Sequence, residues 1–378
     1  MNSTLSKGCI GLRTLILSCN TGEGHNSCAK AIKEYYESKG EFCEIKDSLA
    51  FASKRLSDFI SNWHVRLYRH MPYLFGAGYG IFEKHPSMLE SKSMVYKALT
   101  RGGKKLRDYI VENEFDCVIC THVFAAMTLS RTCKEYSLNL KTGLVYTDYT
   151  CFPGTSSCEL TYFFTPHFSL KEEFLKAGVK EEQIVPTGIP VRQDFYKSIP
   201  REEAKEQLGI KKDKIHIVMM SGSMGCGPIK KLAKLIAEGK NENCQLSVVC
   251  GTNKRMKKQL DKAIGETEGV NVIGYANNVS QLLDSADLYF TKPGGISVSE
   301  ATVKSVPMLL IQAVEGCETH NFKFFTSLGA AVSAKKPKEL SKMGLELIGD
   351  KAKLESMRAA YGKEMSRNCA EIIYNTMK

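Results

Sequence analysis

The stretch RTLILSCNTGEGHNSCAKAIKEYYESKGEFCEIKDS, residues 13–48, contains the pattern that decides the fold. Its apolar run RTLILSC is typical of a buried strand, and the next residues repeat apolar positions on one helical face until Gly40. A second strand pattern, FCEIKDS, follows. A strand, a helix and a strand in this order predict a βαβ unit with parallel strands. The fold class is therefore α/β.

The same alternation continues through the first half of the chain and starts again in the second half. It breaks near VPTGIPVRQDFYKSIPREE, after which KIHIVMMSGS begins a new series of strands and helices. The sequence therefore predicts two doubly wound, Rossmann-like domains, residues 1–195 and 196–378, that face each other across a cleft. Ligands of such sheets bind beyond the carboxyl ends of the strands, so the cleft is the expected site.

The composition favours a cytoplasmic protein that is soluble or bound to a membrane surface. The 378 residues are 43% hydrophobic, which is enough for two cores. They contain no apolar run of the roughly 20 residues that a bilayer-spanning helix requires. The fourteen cysteines are scattered, and because no export signal is recognisable we expect reduced thiols. The one C-x-x-C pair, Cys117 and Cys120, lies in an apolar strand pattern, so no metal site is expected.

Much of the net charge of +11 lies in one segment. Residues 50–107 contain eleven Lys and Arg against three Asp and Glu, together with nine aromatic residues. This mixture suits an anionic membrane surface, because cations are attracted to lipid headgroups and aromatic rings enter the interface. It is also compatible with nucleic acid, or with a solvated basic face over core aromatics. The residues predicted to face the membrane are Trp63, Arg66, Arg69, Lys104, Lys105 and Arg107.

Four junctions between a strand and a loop carry residues suited to chemistry, and the first is TGEGH. Its Gly22 and Gly24 open a helix whose free N–H groups attract anions. Together with Asp47 at the end of the second strand, they form part of a dinucleotide fingerprint, so a nicotinamide-dependent enzyme stays an alternative. His25 would crowd a pyrophosphate in that turn. It is better suited to take a proton from a hydroxyl, since the pKa of histidine lies near neutrality.

The other three junctions lie in the second half and suit a sugar nucleotide. The glycine-rich loop 221–227, SGSMGCG, offers backbone N–H groups to phosphate oxygens. In TKPGGISVSE, Ser297 could meet a phosphate and Glu300 a ribose diol, although the two residues also have capping-box spacing. In GCETHN, Glu318 and Asn321 could hold sugar hydroxyls, or serve as a solvated acid and a helix cap.

With these residues in place, the chain resembles the family of monogalactosyldiacylglycerol synthases and processive diacylglycerol glucosyltransferases, which are distantly related to the lipid II N-acetylglucosaminyltransferase. The resemblance is most specific in GYANNVSQLLDSADLYFTKPGGISVSEATVKSVPML. In the first half it rests on TGEGH, FDCVICTHVFAA, LVYTDYTCF and TGIPVRQDF. It implies the two-domain glycosyltransferase B fold, with last helices that can cross back onto the first domain.

The resemblance also implies the substrates and their place in the cell. The donor is a UDP-hexose, and the acceptor is diacylglycerol or a related lipid. The enzyme is expected on the inner face of the cell membrane, without a resident cofactor or metal and without a nucleic acid partner. Because Cys317 stands where members commonly have glutamine, the sugar is left open. Because the segment after Asp148 lacks a His-Trp element that is frequent in the family, the acceptor is left open as well.

Individual roles follow from the same resemblance. His25 is the implied catalytic base, Asp148 a second catalytic residue of open role, and Gly22 and Gly24 the turn that faces the acceptor or a phosphate. The residues implied to bind the donor are Gly222, Ser223, Gly225, Gly251, Asn253, Tyr275, Pro293, Gly294, Gly295, Ser297, Glu300, Glu318 and Asn321.

The expected reaction is a single displacement. His25 takes the proton of the acceptor hydroxyl, the anomeric carbon is inverted, and backbone amides stabilise the departing UDP. A UDP-sugar epimerase of the same fold, a nicotinamide-dependent enzyme and a basic membrane or nucleic-acid adaptor are the alternatives.

Overall fold

The computed structural model describes residues 11–20, 22–55, 57–60, 63, 80–220, 222, 228–311 and 316–378. These residues form two parallel six-stranded sheets, with the strand orders 2-1-3-4-5-6 and 12-11-10-7-8-9. In each sheet the order reverses beside the first strand of that half, which is where a doubly wound sheet opens a crevice for a ligand. The predicted α/β class is confirmed.

The first sheet is built from short apolar runs that are buried on both faces. In its centre, Leu15 and Leu17 belong to one core cluster and Ile16 to another. This explains why the sequence shows an unbroken apolar run here rather than an alternation. The strands are β1 Arg13–Ser18, β2 Phe42–Asp47, β3 Cys117–Cys120, β4 Lys141–Val145, β5 Tyr162–Thr165 and β6 Ile184–Pro186. Its α-helices are α1 Glu23–Ser38, α2 Ser48–Ala52, α3 Met94–Leu99, α4 Gly103–Glu112, α5 Val123–Tyr136 and α6 Lys171–Lys176.

The second sheet repeats this plan. Its strands are β7 Ile215–Met220, β8 Cys244–Val249, β9 Val270–Ile273, β10 Leu288–Thr291, β11 Met308–Leu310 and β12 Ala331–Ser333. Its α-helices are α7 Arg201–Gln207, α8 Ile229–Gly239, α9 Lys254–Ile264, α10 Val279–Ser285, α11 Gly295–Val303, α12 Cys317–Leu328, α13 Pro337–Leu347 and α14 Lys351–Ala359. Short 3₁₀ helices occupy Pro86–Leu89, Pro153–Ser157, Phe168–Leu170, Glu181–Gln183, Gln193–Tyr196 and Lys363–Ser366.

The helix α15 Cys369–Met377 lies on the first sheet although it follows the second sheet in the sequence. Its Ile373 and Met377 belong to the core cluster that contains Ile16 of β1. The hydroxyl of Tyr374 donates a hydrogen bond to Glu41 Oε1 over 2.9 Å. The first sheet is therefore covered in part by residues from the far end of the sequence. The boundary at residue 195 stays a prediction; β6 ends at Pro186 and β7 begins at Ile215.

Candidate active site

The predicted base, His25, lies in the first turn of α1 at the carboxyl ends of β3 and β4. The turn before it depends on Gly22, whose φ of 146° is in the left-handed region that favours glycine. His25 Nδ1 is 2.7 Å from the carbonyl oxygen of Thr121, which follows β3. The same nitrogen is 3.0 Å from Thr147 Oγ1, two residues after β4. His25 as a whole residue is half-buried.

These two oxygens fix the protonation of the neutral ring. A carbonyl oxygen can only accept, so Nδ1 must carry the proton and Nε2 keeps its lone pair. Burial lowers the pKa of His25 from its usual value, and the hydrogen bond to Thr121 opposes this shift. At neutral pH the side chain is therefore an uncharged imidazole that can accept a proton at Nε2.

A second histidine, which the sequence reasoning missed, packs against His25. The ring centroids of His25 and His122 are 4.5 Å apart in an edge-to-face arrangement. His122 is the N-cap of α5, and its Nδ1 accepts a 3.0 Å hydrogen bond from the backbone N–H of Phe124. The signal was present in the sequence, because His122 directly follows a strand pattern at the predicted ligand-binding edge.

The carboxylate of Asp47 accepts hydrogen bonds from residues of the first half of the chain. Its Oδ1 accepts from the backbone N–H of Leu49, which caps α2, and its Oδ2 accepts from Asn20 Nδ2 and from the Ser57 hydroxyl. A dinucleotide-binding site would use this carboxylate for a ribose. The observed bonds therefore weigh against the nicotinamide-dependent alternative.

The facing half of the site is the start of α11, and it touches the half that carries His25. A Cβ atom added to Gly295 would lie 1.8 Å from the carbonyl oxygen of Thr147. At Gly24 a Cβ atom would lie 3.9 Å from the Ile296 side chain. The structure thus brings the predicted base and the start of the predicted phosphate-binding helix into contact with the same residue, Thr147.

The start of α11 also tests the capping-box interpretation of Ser297 and Glu300. The N-cap of α11 is Gly294, and no side chain caps it. Ser297 lies inside the helix, so the capping-box interpretation of Ser297 and Glu300 is wrong. The backbone N–H groups at this glycine N-terminus are suited to an anion.

Asn321 was expected to hold a sugar hydroxyl, but here it joins the two halves of the molecule. Its side chain is fully buried. Its Nδ2 donates to Asp148 Oδ1 over 2.7 Å and to the carbonyl oxygen of Pro293 over 2.9 Å. Its Oδ1 accepts a 2.6 Å bond from the backbone N–H of Tyr149. Both N–H groups of the amide are used in these bonds, whereas its oxygen has a second lone pair. The contact between Asn321 and a donor sugar stays a prediction. The helix-cap alternative is wrong, since the N-cap of α12 is Gly316.

The carboxylate of Asp148 accepts a hydrogen bond from Asn321 rather than from His25. Burial raises the pKa of Asp148 to about 6, while the hydrogen bond from Asn321 acts in the opposite direction. The structure therefore places Asp148 between the two halves, one residue beyond the contact with the base.

Glu318 forms a charged pair beside the glycine turn. Lys292 Nζ is 3.4 Å from Glu318 Oε1, and both side chains are largely buried. Glu318 Oε1 also lies 3.9 Å from the position that a Cβ atom would occupy on Gly294. A solvated acid, the alternative interpretation of Glu318, does not fit this burial. A buried ammonium group beside a helix N-terminus is suited to the oxygens of a diphosphate.

The remaining predicted donor residues line the same edge of the second sheet. Tyr275, which follows β9, is 67% exposed, so its ring face is available for stacking. Asn253 caps α9, because its Oδ1 accepts from the backbone N–H of Met256 over 2.9 Å. Gly222 and Gly251 follow β7 and β8. Ser223 and Gly225 lie outside the described residues.

The residues predicted to face the membrane differ in their exposure, and two of them lie outside the described residues. Trp63, Lys104 and Lys105 are exposed. Arg107 is partly buried; it pairs with Asp108 over 2.9 Å and lies 4.9 Å from the ring centroid of Tyr136. Arg66 and Arg69 lie outside the described residues. In the part of the chain that the structure describes, no helix is both long and apolar enough to cross a bilayer.

Comparison with solved structures identifies the fold of this protein. It superposes on MurG of Acinetobacter baumannii with a TM-score of 0.66 and 12% identity, over 97% of this chain and 99% of that one. It superposes on the UDP complex of S. aureus MnaA with a TM-score of 0.62 and 13% identity, over 97% and 96% of the two chains. The predicted fold, that of a two-domain glycosyltransferase of the B type, is confirmed.

Sequence comparisons find two matching family models and several relatives. The family model of monogalactosyldiacylglycerol synthase matches residues 25–191, and that of the glycosyltransferase family 28 C-terminal domain matches residues 216–372. A processive diacylglycerol beta-glucosyltransferase of Bacillus cytotoxicus is 28% identical over 353 residues, which are 93% of this chain and 89% of the relative. The enzyme of the same name in Staphylococcus saprophyticus is 24% identical over 371 residues, 97% of this chain and 90% of the relative. The two family models, which match separate halves of the chain, and these relatives agree with the resemblance that the sequence predicts.

Proposed function

We propose that this protein transfers a hexose from a UDP-sugar to the hydroxyl group of diacylglycerol or a related lipid, with inversion at the anomeric carbon. The matched family models and the named relatives support the reaction class and the acceptor. One observation carries the mechanism: Thr147 contacts both His25, which keeps its lone pair on Nε2, and Gly295 at the glycine start of α11.

The reaction is a direct displacement. The acceptor oxygen forms a bond to the anomeric carbon while its proton passes to His25 Nε2. The bond between the anomeric carbon and the β-phosphate oxygen breaks, and UDP leaves with the electron pair. A positioned general base contributes roughly 10²- to 10⁴-fold to such a rate. Attack from the face opposite the leaving group inverts the anomeric carbon.

The second half of the molecule provides for the donor. The N–H groups at the start of α11 and the Lys292 ammonium group are placed to stabilise the negative charge on departing UDP. Glu300 is positioned to accept hydrogen bonds from the ribose, and Tyr275 to stack on the uracil. These roles are part of the proposal, as is the absence of a resident cofactor.

The acceptor is a lipid, so the proposal places the protein at the inner face of the cell membrane. Phe59 and Trp63 are exposed neighbours, with ring centroids 6.0 Å apart. Lys104 and Lys105 are exposed cations in the first turn of α4. Exposed aromatic rings and lysines are the groups that bind to an anionic lipid surface.

The test is incubation with UDP-glucose, UDP-galactose or UDP-N-acetylglucosamine and vesicles that contain diacylglycerol and an anionic phospholipid. We expect UDP release together with a glycolipid detected by mass spectrometry. His25→Gln should lower kcat by about 10²- to 10⁴-fold without weakening UDP binding. His85→Gln, which changes an exposed histidine, is the control.

Two results would contradict the proposal. Turnover of a UDP-sugar into an isomer without lipid would indicate an epimerase. A His25→Gln variant with the activity of the unmodified protein would exclude His25 as the base.

A further inference from the structure

Thr147 contacts both halves of the site through two different atoms. It follows β4 and is buried. Its Oγ1 is 3.0 Å from His25 Nδ1 in the first half. Its carbonyl oxygen faces Gly295, the first residue of α11, so closely that a Cβ atom there would lie at 1.8 Å. Sequence reasoning selected its neighbour Asp148 and gave Thr147 no role.

The hydroxyl group of Thr147 is a second acceptor for the proton on His25 Nδ1. The Thr121 carbonyl oxygen, at 2.7 Å, is the nearer acceptor and requires that proton to be present. Thr147 Oγ1 therefore shares the same N–H in a three-centre bond. When Nε2 takes a second proton, the ring becomes a cation. Its Nδ1–H then has two oxygens to share the charge, and hydrogen bonds to charged groups are stronger than neutral ones.

The charged and titratable groups named here, which lie around the His25 ring, do not accept the hydrogen bond that Nδ1–H donates to Thr121 and Thr147. His122, from the junction of β3 and α5, packs its ring against His25, and its Nδ1 accepts from Phe124. Asp148, from the junction after β4, accepts from Asn321 instead. From α11, Gly295 and Ile296 bring no side-chain charge to the contact. His25 is thus oriented by two neutral oxygens.

We infer that Thr147 is a positioning residue, which holds His25 with Nε2 as the base and stabilises the imidazolium ion formed when the acceptor hydroxyl is deprotonated. This inference rests on the proposed function. Because the backbone of Thr147 also packs on α11, the same residue sets the position of the base relative to the helix that receives the leaving group.

The test compares Thr147→Val, which keeps the shape and removes the hydroxyl, with Thr147→Ser, which keeps the hydroxyl. We expect Thr147→Val to lower kcat by about 10- to 100-fold, because a charge-assisted hydrogen bond is lost in the transition state. The KM for the UDP-sugar should stay within about twofold, since the groups proposed to bind the donor do not include this hydroxyl, which bonds to His25. Thr147→Ser should retain most of the activity.

The matched control is Thr165→Val. Thr165 ends β5, is equally buried, and its Oγ1 has no hydrogen-bond partner among the described residues. Removal of this hydroxyl from a neighbouring strand end should leave kcat unchanged. Equal losses in Thr165→Val and Thr147→Val would show a general effect of the substitution and overturn the inference.

A second measurement separates this inference from the proposed function. Nitrogen-15 NMR of the histidines reports the tautomer and pKa of His25 without any substrate. Thr147→Val should lower the pKa of His25, since the imidazolium ion loses an acceptor, and the acidic limb of the pH–rate profile should move to lower pH. If the unmodified protein makes no glycolipid, the proposed function fails while the NMR comparison still decides the role of Thr147. An unchanged pKa of His25 in Thr147→Val would overturn that role.

Discussion

Glu300 shows how one buried carboxyl group can make donor binding depend on pH. Burial raises the pKa of Glu300 to about 8, while the Arg192 guanidinium acts in the opposite direction. A carboxylate can accept both hydrogen bonds of a ribose diol, whereas a protonated carboxyl group must donate with one oxygen. At pH 7 most of the unoccupied protein carries Glu300 protonated, so donor binding has to release a proton. We expect the affinity for UDP, measured by calorimetry, to rise about 10-fold between pH 7 and pH 9.

Glu300→Gln provides the comparison for this prediction. Its amide does not titrate, so the affinity for UDP should be low and nearly constant over the same pH range. A pH dependence of equal size in both proteins would mean that another group releases the proton.

Single residues were predictable where the local pattern was sufficient. His25 could be identified because a histidine in a glycine turn after a strand is unusual, and its neighbours in the sequence place it at the sheet edge. The bonds of Asn321 could not be predicted, because its partners Asp148 and Tyr149 come from a different half of the chain. His122 was available to the same reasoning as His25 and was missed.

The element that carries the donor site, α11, depends on the size of its first residue. A Cβ atom on Gly295 would meet the carbonyl oxygen of Thr147 at 1.8 Å, which no backbone contact tolerates. Gly295→Ala should therefore displace α11 from β4 while the helix itself is preserved, since alanine favours helix more than glycine does. We expect a fall in glycolipid formation of more than about 100-fold, measured by mass spectrometry, because misplacement by 1 Å can cost that much.

Gly80→Ala is the matched control for this substitution. Among the described residues, no atom lies within 4 Å of a Cβ atom on Gly80, and Gly80 is also helical. If Gly295→Ala formed glycolipid as fast as Gly80→Ala, the contact between α11 and Thr147 would not be part of the active arrangement.

Strands and helices followed closely from the sequence because their signals are local. The run RTLILSC predicted β1, and the structure places that strand at Arg13–Ser18. The start of α11 was less certain, because Ser297 and Glu300 also satisfied the spacing of a helix cap. The observed N-cap, Gly294, decided the matter. The contact of Gly295 with Thr147 joins residues 148 positions apart, so it leaves no trace in a local pattern.

At the scale of the whole molecule, α12 holds the two halves together at two points. Asn321 bonds to Asp148 and Tyr149, and His320 Nε2 lies 2.8 Å from Glu83 Oε1. Asn321→Asp replaces the amide donor by a carboxylate directly opposite Asp148. At pH 8 the two negative charges should repel each other and the molecule should open, which small-angle X-ray scattering would detect as a larger radius of gyration.

Acidification should reverse this opening. Burial raises the pKa of Asp148 to about 6, and a second carboxylate raises it further, so at pH 5 the pair shares a proton and the halves close. Asn278→Asp, at an exposed N-cap, should leave the radius of gyration unchanged at both pH values. Equal radii for Asn321→Asp and Asn278→Asp at pH 8 would show that this link does not control opening.

The position of α15 has a consequence for the way the protein is made. Because Ile373 and Met377 complete a core that begins with Ile16, the first sheet leaves the ribosome with part of its apolar surface uncovered. That surface stays open until the codons for α15 have been translated. A nascent chain that stalls late, or a fusion partner that restrains the last turn, would therefore disturb the amino-terminal half first.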